Sequence, residues 1–261
     1  MNKTVKAIID SGLYLIIFIL LQLLSTLVFG RIIRGQVLAI TLGFGISAVL
    51  TIVIFHFACW SPLSCRYIAT RPYCLLALMV TLTMGLLAPS LFLEGLISSD
   101  MPNQLIEMLG IIIAHPLGFL VIGFLAPIAE EMVFRGAILR KLLSSLKNPW
   151  LAIIISAALF GLIHGNLPQF LHAFPIGLLL GWVFYRTGSI LPGLVLHWVN
   201  NSAAFLLCRI YPDKMDATLL EIFNGNSLLM YAVIAVSSVV AVVSFWQIWL
   251  KIGNRAEGGE F

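Results

Sequence analysis

Glu130 and Glu131 stand side by side in the stretch PIAEEMVFRG, and Arg135 follows four residues after the second of them. His164 comes four residues after Phe160 in LFGLIHGN, and His197 comes four residues before Asn201 in GLVLHWVNNS. A carboxylate is a base that can take a proton from water, while imidazole and amide groups can donate hydrogen bonds to developing negative charge. On a helix, residues four apart share a face, so Glu131 and Arg135 can pair side by side. Glu130 points about 100° away from Glu131 and cannot share that pair equally. Each piece also has a plainer reading. Glu131 and Arg135 could be a structural ion pair, His164 a hydrogen-bonded core residue, and His197 with Asn201 a polar contact between helices.

The elements that carry these groups are very apolar. Hydrophobic residues make up 61% of the 261-residue chain and charged residues only 10%, against about 25% charge in an ordinary soluble domain. About 20 consecutive apolar residues span a bilayer core as a helix. The expected fold is therefore all-α: a polytopic transmembrane helical bundle in a single domain, 1–252, whose motif-bearing core is 111–208. A Gly-rich, charged stretch, 253–261, reads as a disordered tail. Eight spans are expected, at about 13–29, 37–60, 73–97, 111–139, 150–165, 171–185, 190–208 and 228–250. The first, preceded by Lys3 and Lys6, is too long for a signal-peptide core and lacks a small-residue cleavage site, so it reads as a retained span. Pro127 is expected to kink the fourth. Cys59, Cys65, Cys74 and Cys208 show no CxxC spacing, which argues for neither a disulfide framework nor a zinc site. The net charge of +4 contains no basic run of the nucleic-acid-binding kind.

With the N-terminus inside, cytoplasmic segments hold Lys3, Lys6, Arg66, Arg71, Arg140, Lys141, Lys147, Arg186, Lys251 and Arg255. External segments then hold only Arg31, Arg34, Arg209 and Lys214. Because basic residues favour the cytoplasmic side, both termini are expected there. At a rise of 1.5 Å per residue, Glu130 lies roughly 15 Å from the inner end of its span, His164 roughly 20 Å, His197 roughly 12 Å and Asn201 roughly 18 Å. Against a core of about 30 Å, three separate helices thus place a carboxylate, two imidazoles and an amide near mid-membrane. Ionisable groups at that depth are costly and usually mark function. His56, His115 and His172 fall near span ends, where an interfacial role is the simpler reading.

EEMVFR resembles the EExxxR motif of the CPBP intramembrane protease family, also called the Abi or type II CAAX protease family. FGLIH resembles its FxxxH motif and HWVNN its HxxxN motif, and YRTGSILPGLVLHWVNN resembles the usual approach to the third motif in bacterial members. The resemblance covers about 127–201. It implies an eight-helix intramembrane endopeptidase with a metal-independent glutamate mechanism, no cofactor and no metal ligands. Glu130 would be the general base for a water that His164 helps to hold. His197 and Asn201 would stabilise the oxyanion, with Glu131, Arg135 and Phe160 in support. The partners implied are a peptide or membrane-protein substrate and the lipid bilayer, with no nucleic acid, in a bacterial-type inner membrane.

Three other readings fit parts of the pattern. Glu and His are zinc-ligand types, so a zinc-dependent membrane peptidase is possible, although no HExxH is present. A non-proteolytic peptide-binding or bacteriocin-immunity protein would also use a polar pocket. A proton-coupled transporter would use a Glu–His chain, but no inverted repeat is evident.

Overall fold

Long apolar runs build long helices, and the flanking polar residues mark where they stop. The computed structural model describes residues 2–64, 70, 72–96, 103–212 and 217–253, with the backbone alone described for 103–105. Among these residues there is helix and turn but no strand. Asn2 caps α1 (Lys3–Ile32) by accepting a hydrogen bond from the Thr4 N–H. Next come α2 (Gln36–Phe57), α3 (Cys74–Leu96) and α4 (Asn103–Ala114). The central element, α5 (Phe119–Leu143), is followed by α6 (Pro149–Leu162), α7 (Leu167–Thr187) and α8 (Leu191–Ile210). A single capped turn, α9 (Leu219–Ile222), leads into α10 (Ser227–Gly253).

Six helices, α1, α2, α3, α7, α8 and α10, are long and apolar enough to cross a membrane, and the bent pair α4–α5 makes a seventh. Their outward faces are lined by exposed side chains such as Leu24, Val53, Val242 and Leu228, which suits lipid and not water. The chain is an integral, multi-pass, all-helical protein. All eight expected apolar segments carry helix, and the expected count of about eight stands near the six or seven long apolar helices among the described residues. With 14 residues, α6 is only about 21 Å long, short of a bilayer core.

The fourth expected span, 111–139, is not one helix. Its two parts are bent by 107° between Ala114 and Phe119. Pro116 has no N–H and disfavours helix at His115. The turn is then stapled from several sides. Gly118 packs so closely that a Cβ there would sit 2.0 Å from the Ile112 carbonyl oxygen. His115 Nδ1 accepts from the Leu117 N–H, and Arg209 of α8 donates to the Ala114 carbonyl. The chain stays helical through Pro127, where a kink was expected, and changes register instead. Phe119–Leu125 and Met132–Leu139 are π-helical, flanking the α-helical Ala126–Glu131. π-Helical turns are rare and concentrate at functional sites.

Every residue from Met132 to Leu139 is buried. This stretch packs against α1, α2, α6 and α7, so α5 is the axis of the bundle. Phe134 meets Phe18 and Phe160 edge to face, and Ser156 of α6 donates to the Phe134 carbonyl. At the periphery α3 and α10 pack backbone to backbone, because a Cβ on Gly85 would lie 2.5 Å from the Ala241 nitrogen. Arg186 closes the far end of α10 by donating to the Ile252 and Gly253 carbonyls.

The interfacial histidines take ordinary roles. His56 accepts from the Leu63 N–H, and His172 touches Glu94 of α3 at 2.6 Å. Cys59, Cys74 and Cys208 are free. Cys65, Arg66, Arg71, Lys214 and the expected tail from 254 onward lie outside the described residues.

Candidate active site

The helical spacing of EEMVFR places one pair directly. Arg135 Nη1 donates to Glu131 Oε1 at 2.7 Å, with both side chains essentially inaccessible. Two isolated charges in such a place would be untenable, and their pairing offsets part of the cost. The guanidinium also lies over the Phe160 ring, 4.5 Å from its centroid, and Nη2 donates to the Gly177 carbonyl at 3.4 Å. Glu131, Arg135 and Phe160 therefore form one buried unit across α5, α6 and α7.

His197 joins that unit to Glu130. Its Nδ1 is 3.2 Å from Glu131 Oε1, and its Nε2 is 3.5 Å from Glu130 Oε2. With Nδ1 protonated, the ring donates to Glu131 and is held in one orientation, leaving Nε2 facing Glu130. The remaining 3.5 Å exceeds an ordinary N–H···O hydrogen bond. Glu130 is 17% exposed while Glu131 is fully enclosed, so the two neighbours sit in different surroundings. Phe160 stacks edge-on against both His197 and His164, at 5.6 and 5.5 Å between centroids.

His164 lies just beyond its helix and not within it. α6 stops at Leu162, Gly165 takes a left-handed φ of +71°, and Asn166 caps the next helix ahead of Pro168. The spacing to Phe160 survives this turn, since His164 Nδ1 lies 3.0 Å from the Phe160 carbonyl. Asn201 Nδ2 donates to the Ile122 carbonyl at 3.3 Å, and Trp198 donates to the Phe124 carbonyl while stacking on the Phe124 ring. α8 thus grips the first π-helical stretch of α5, whose carbonyls are offset from the usual ladder.

Two features of this cluster carry no motif. Glu131 Oε2 and Arg135 Nε are buried without a hydrogen-bond partner among the described residues. Gly193 of α8 faces the first of these, so closely that a Cβ would lie 3.0 Å from Glu131 Oε2. Gly193 leaves room for the carboxylate that orients His197. No sequence signal marks it, because the contact joins residues far apart in the chain. Among the described residues, no three His, Cys, Asp or Glu side chains have an arrangement that could hold a metal ion.

Residues 112–203 match one family model. It is the type II CAAX prenyl endopeptidase Rce1-like family, and the match agrees with the CPBP resemblance of the three motifs. The matched stretch runs from the α4–α5 elbow through most of α8, so it contains every residue of the cluster. Two relatives come from Bacillus subtilis (strain 168). "Putative membrane peptidase YdiL" is 29% identical over 122 residues, which cover 45% of this chain and 50% of that protein. "Uncharacterized protein YyaK" is 30% identical over 134 residues, covering 45% of this chain and 43% of that protein. The chain spans about half the length of the curated relatives it matches. No solved structure matches it.

Proposed function

We propose that the chain is an intramembrane endopeptidase of the type II CAAX protease-like kind, in which Glu130 activates a water. The observation that carries this reading is the position of His197, with one ring nitrogen toward Glu130 and the other held by the buried Glu131–Arg135 pair. Glu130 takes a proton from water as the oxygen attacks the peptide carbonyl. The same proton passes to the leaving amine, so the products are a carboxyl group and a free amine. His197 Nε2 faces the Glu130 carboxylate at 3.5 Å and keeps it in place beside the water. His164 sits across the Phe160 ring, where it can help to hold the water. Asn201, whose bond to the Ile122 carbonyl is long, supplies a donor for the developing oxyanion. The substrate is a peptide or membrane protein that reaches the site within the bilayer.

The mechanism assigns no step to a metal. Purified protein in vesicles is therefore expected to keep its peptide-cleaving activity in strong chelator. Stoichiometric bound zinc, with activity returning only when metal is added back, would turn the reading toward a zinc peptidase. Wild-type protein that binds peptides but cleaves none would turn it toward the binding or immunity class.

The basic-residue bias supports cytoplasmic termini in this same reading. A reporter fused after Ile252 should read cytoplasmic, and an external signal would reverse the orientation.

A further inference from the structure

Away from the candidate active site, α1, the segment just past α2 and the end of α5 flank an open cavity of about 210 Å3. Its walls include Tyr14 of α1, Trp60 just past α2, and Ala137, Arg140, Lys141 and Ser144 at the end of α5. Thirty residues make α1 about 45 Å long, so it overshoots a 30 Å bilayer core by about ten residues. Those residues are at its start, where Lys3, Lys6 and Asp10 precede the apolar run from Leu13. Tyr14 and the cavity therefore lie at the level of the lipid headgroups. Trp60 and Tyr14, with ring centroids 5.0 Å apart, are the amphipathic aromatics expected at that depth.

The chemistry of the walls is that of an anion site. Arg140 is fixed at the edge of the cavity by donating to the Cys59 and Trp60 carbonyls. Lys141 reaches across to Asp10 of α1 at 2.8 Å. Among the described residues, Arg140 and Lys141 both line the cavity, Asp10 stands beside Lys141, and the Ser144 hydroxyl adds a further polar group. Basic pockets between membrane helices at this level suit phosphate headgroups. A phosphodiester offers several acceptor oxygens to such cations.

We infer that this cavity binds the phosphodiester headgroup of an anionic lipid, and that Asp10 competes with it for Lys141. This reading is independent of the proposed peptidase activity. It assigns opposite signs to the two halves of one ion pair. Full-length protein is placed in vesicles of equal parts phosphatidylglycerol and phosphatidylcholine, extracted in mild detergent, and weighed with its retained lipid by native mass spectrometry. Lys141→Gln is expected to lower retained phosphatidylglycerol relative to phosphatidylcholine by about fivefold, the share of one basic group near a charged surface. Asp10→Asn is expected to raise it by about the same factor. If both substitutions lower retention, or neither changes it, the pair only links α1 to α5 and the inference fails. If millimolar inorganic phosphate displaces the lipid from wild-type protein, the cavity takes free phosphate and the lipid assignment is overturned.

Discussion

Glu130→Gln protein is expected to accumulate and melt like wild type and to cleave no peptide. The amide matches the carboxylate in shape, and among the described residues Glu130 has no ion-pair contact shorter than the one to His197. His197 Nε2 lies 3.5 Å away, and the Glu130 side chain is 17% exposed. What the substitution removes is the base. Glu131→Gln should behave differently. That carboxylate is fully enclosed and joins Arg135 to His197, so its loss should lower yield or stability, with activity falling as a consequence. Thermal melts and peptide cleavage on the two variants separate the roles. A Glu130→Gln protein that still cleaves, beside a well-folded and inactive Glu131→Gln protein, would exchange the two assignments.

Arg135→Ala is expected to destabilise the protein by about 3–5 kcal/mol, the usual cost of stranding one half of a buried ion pair. The substitution also removes the cation over Phe160 and the donor to Gly177, and it leaves the buried Glu131 with His197 but without its cation. Combining it with Glu131→Gln should cost less than the two single changes added together, because the stranded charge is gone. Unfolding in detergent across the four proteins measures this coupling. Additive losses would show that the pair contributes little as a pair.

Local features of this architecture were legible in the sequence. Four-residue spacing on a helix made Glu131 and Arg135 neighbours, and the long apolar runs announced their own helices. The HGNLP stretch also carried a readable turn, since Gly165, Asn166 and Pro168 are all turn or helix-start residues, yet His164 was expected inside the span. Features set by distant packing were hidden. Both Pro116 and Pro127 could have bent the fourth span. The bend falls at Pro116 because Gly118 lets the chain fold back on Ile112 and Arg209 reaches the Ala114 carbonyl from 95 residues away. The place of His197 between the two glutamates follows from how α8 docks on α5. That docking depends on Trp198, Asn201 and the bare backbone at Gly193, none of which declares its partner in sequence.

The central claim is that Glu130 sends a water oxygen into a peptide bond. It is tested most directly by running the cleavage in 18O-labelled water, with chelator present, and reading the product masses. The expected result is one 18O at each new carboxyl group from wild-type protein and no product from Glu130→Gln. Equal labelled product from both proteins, or none from wild type until metal is supplied, would contradict it.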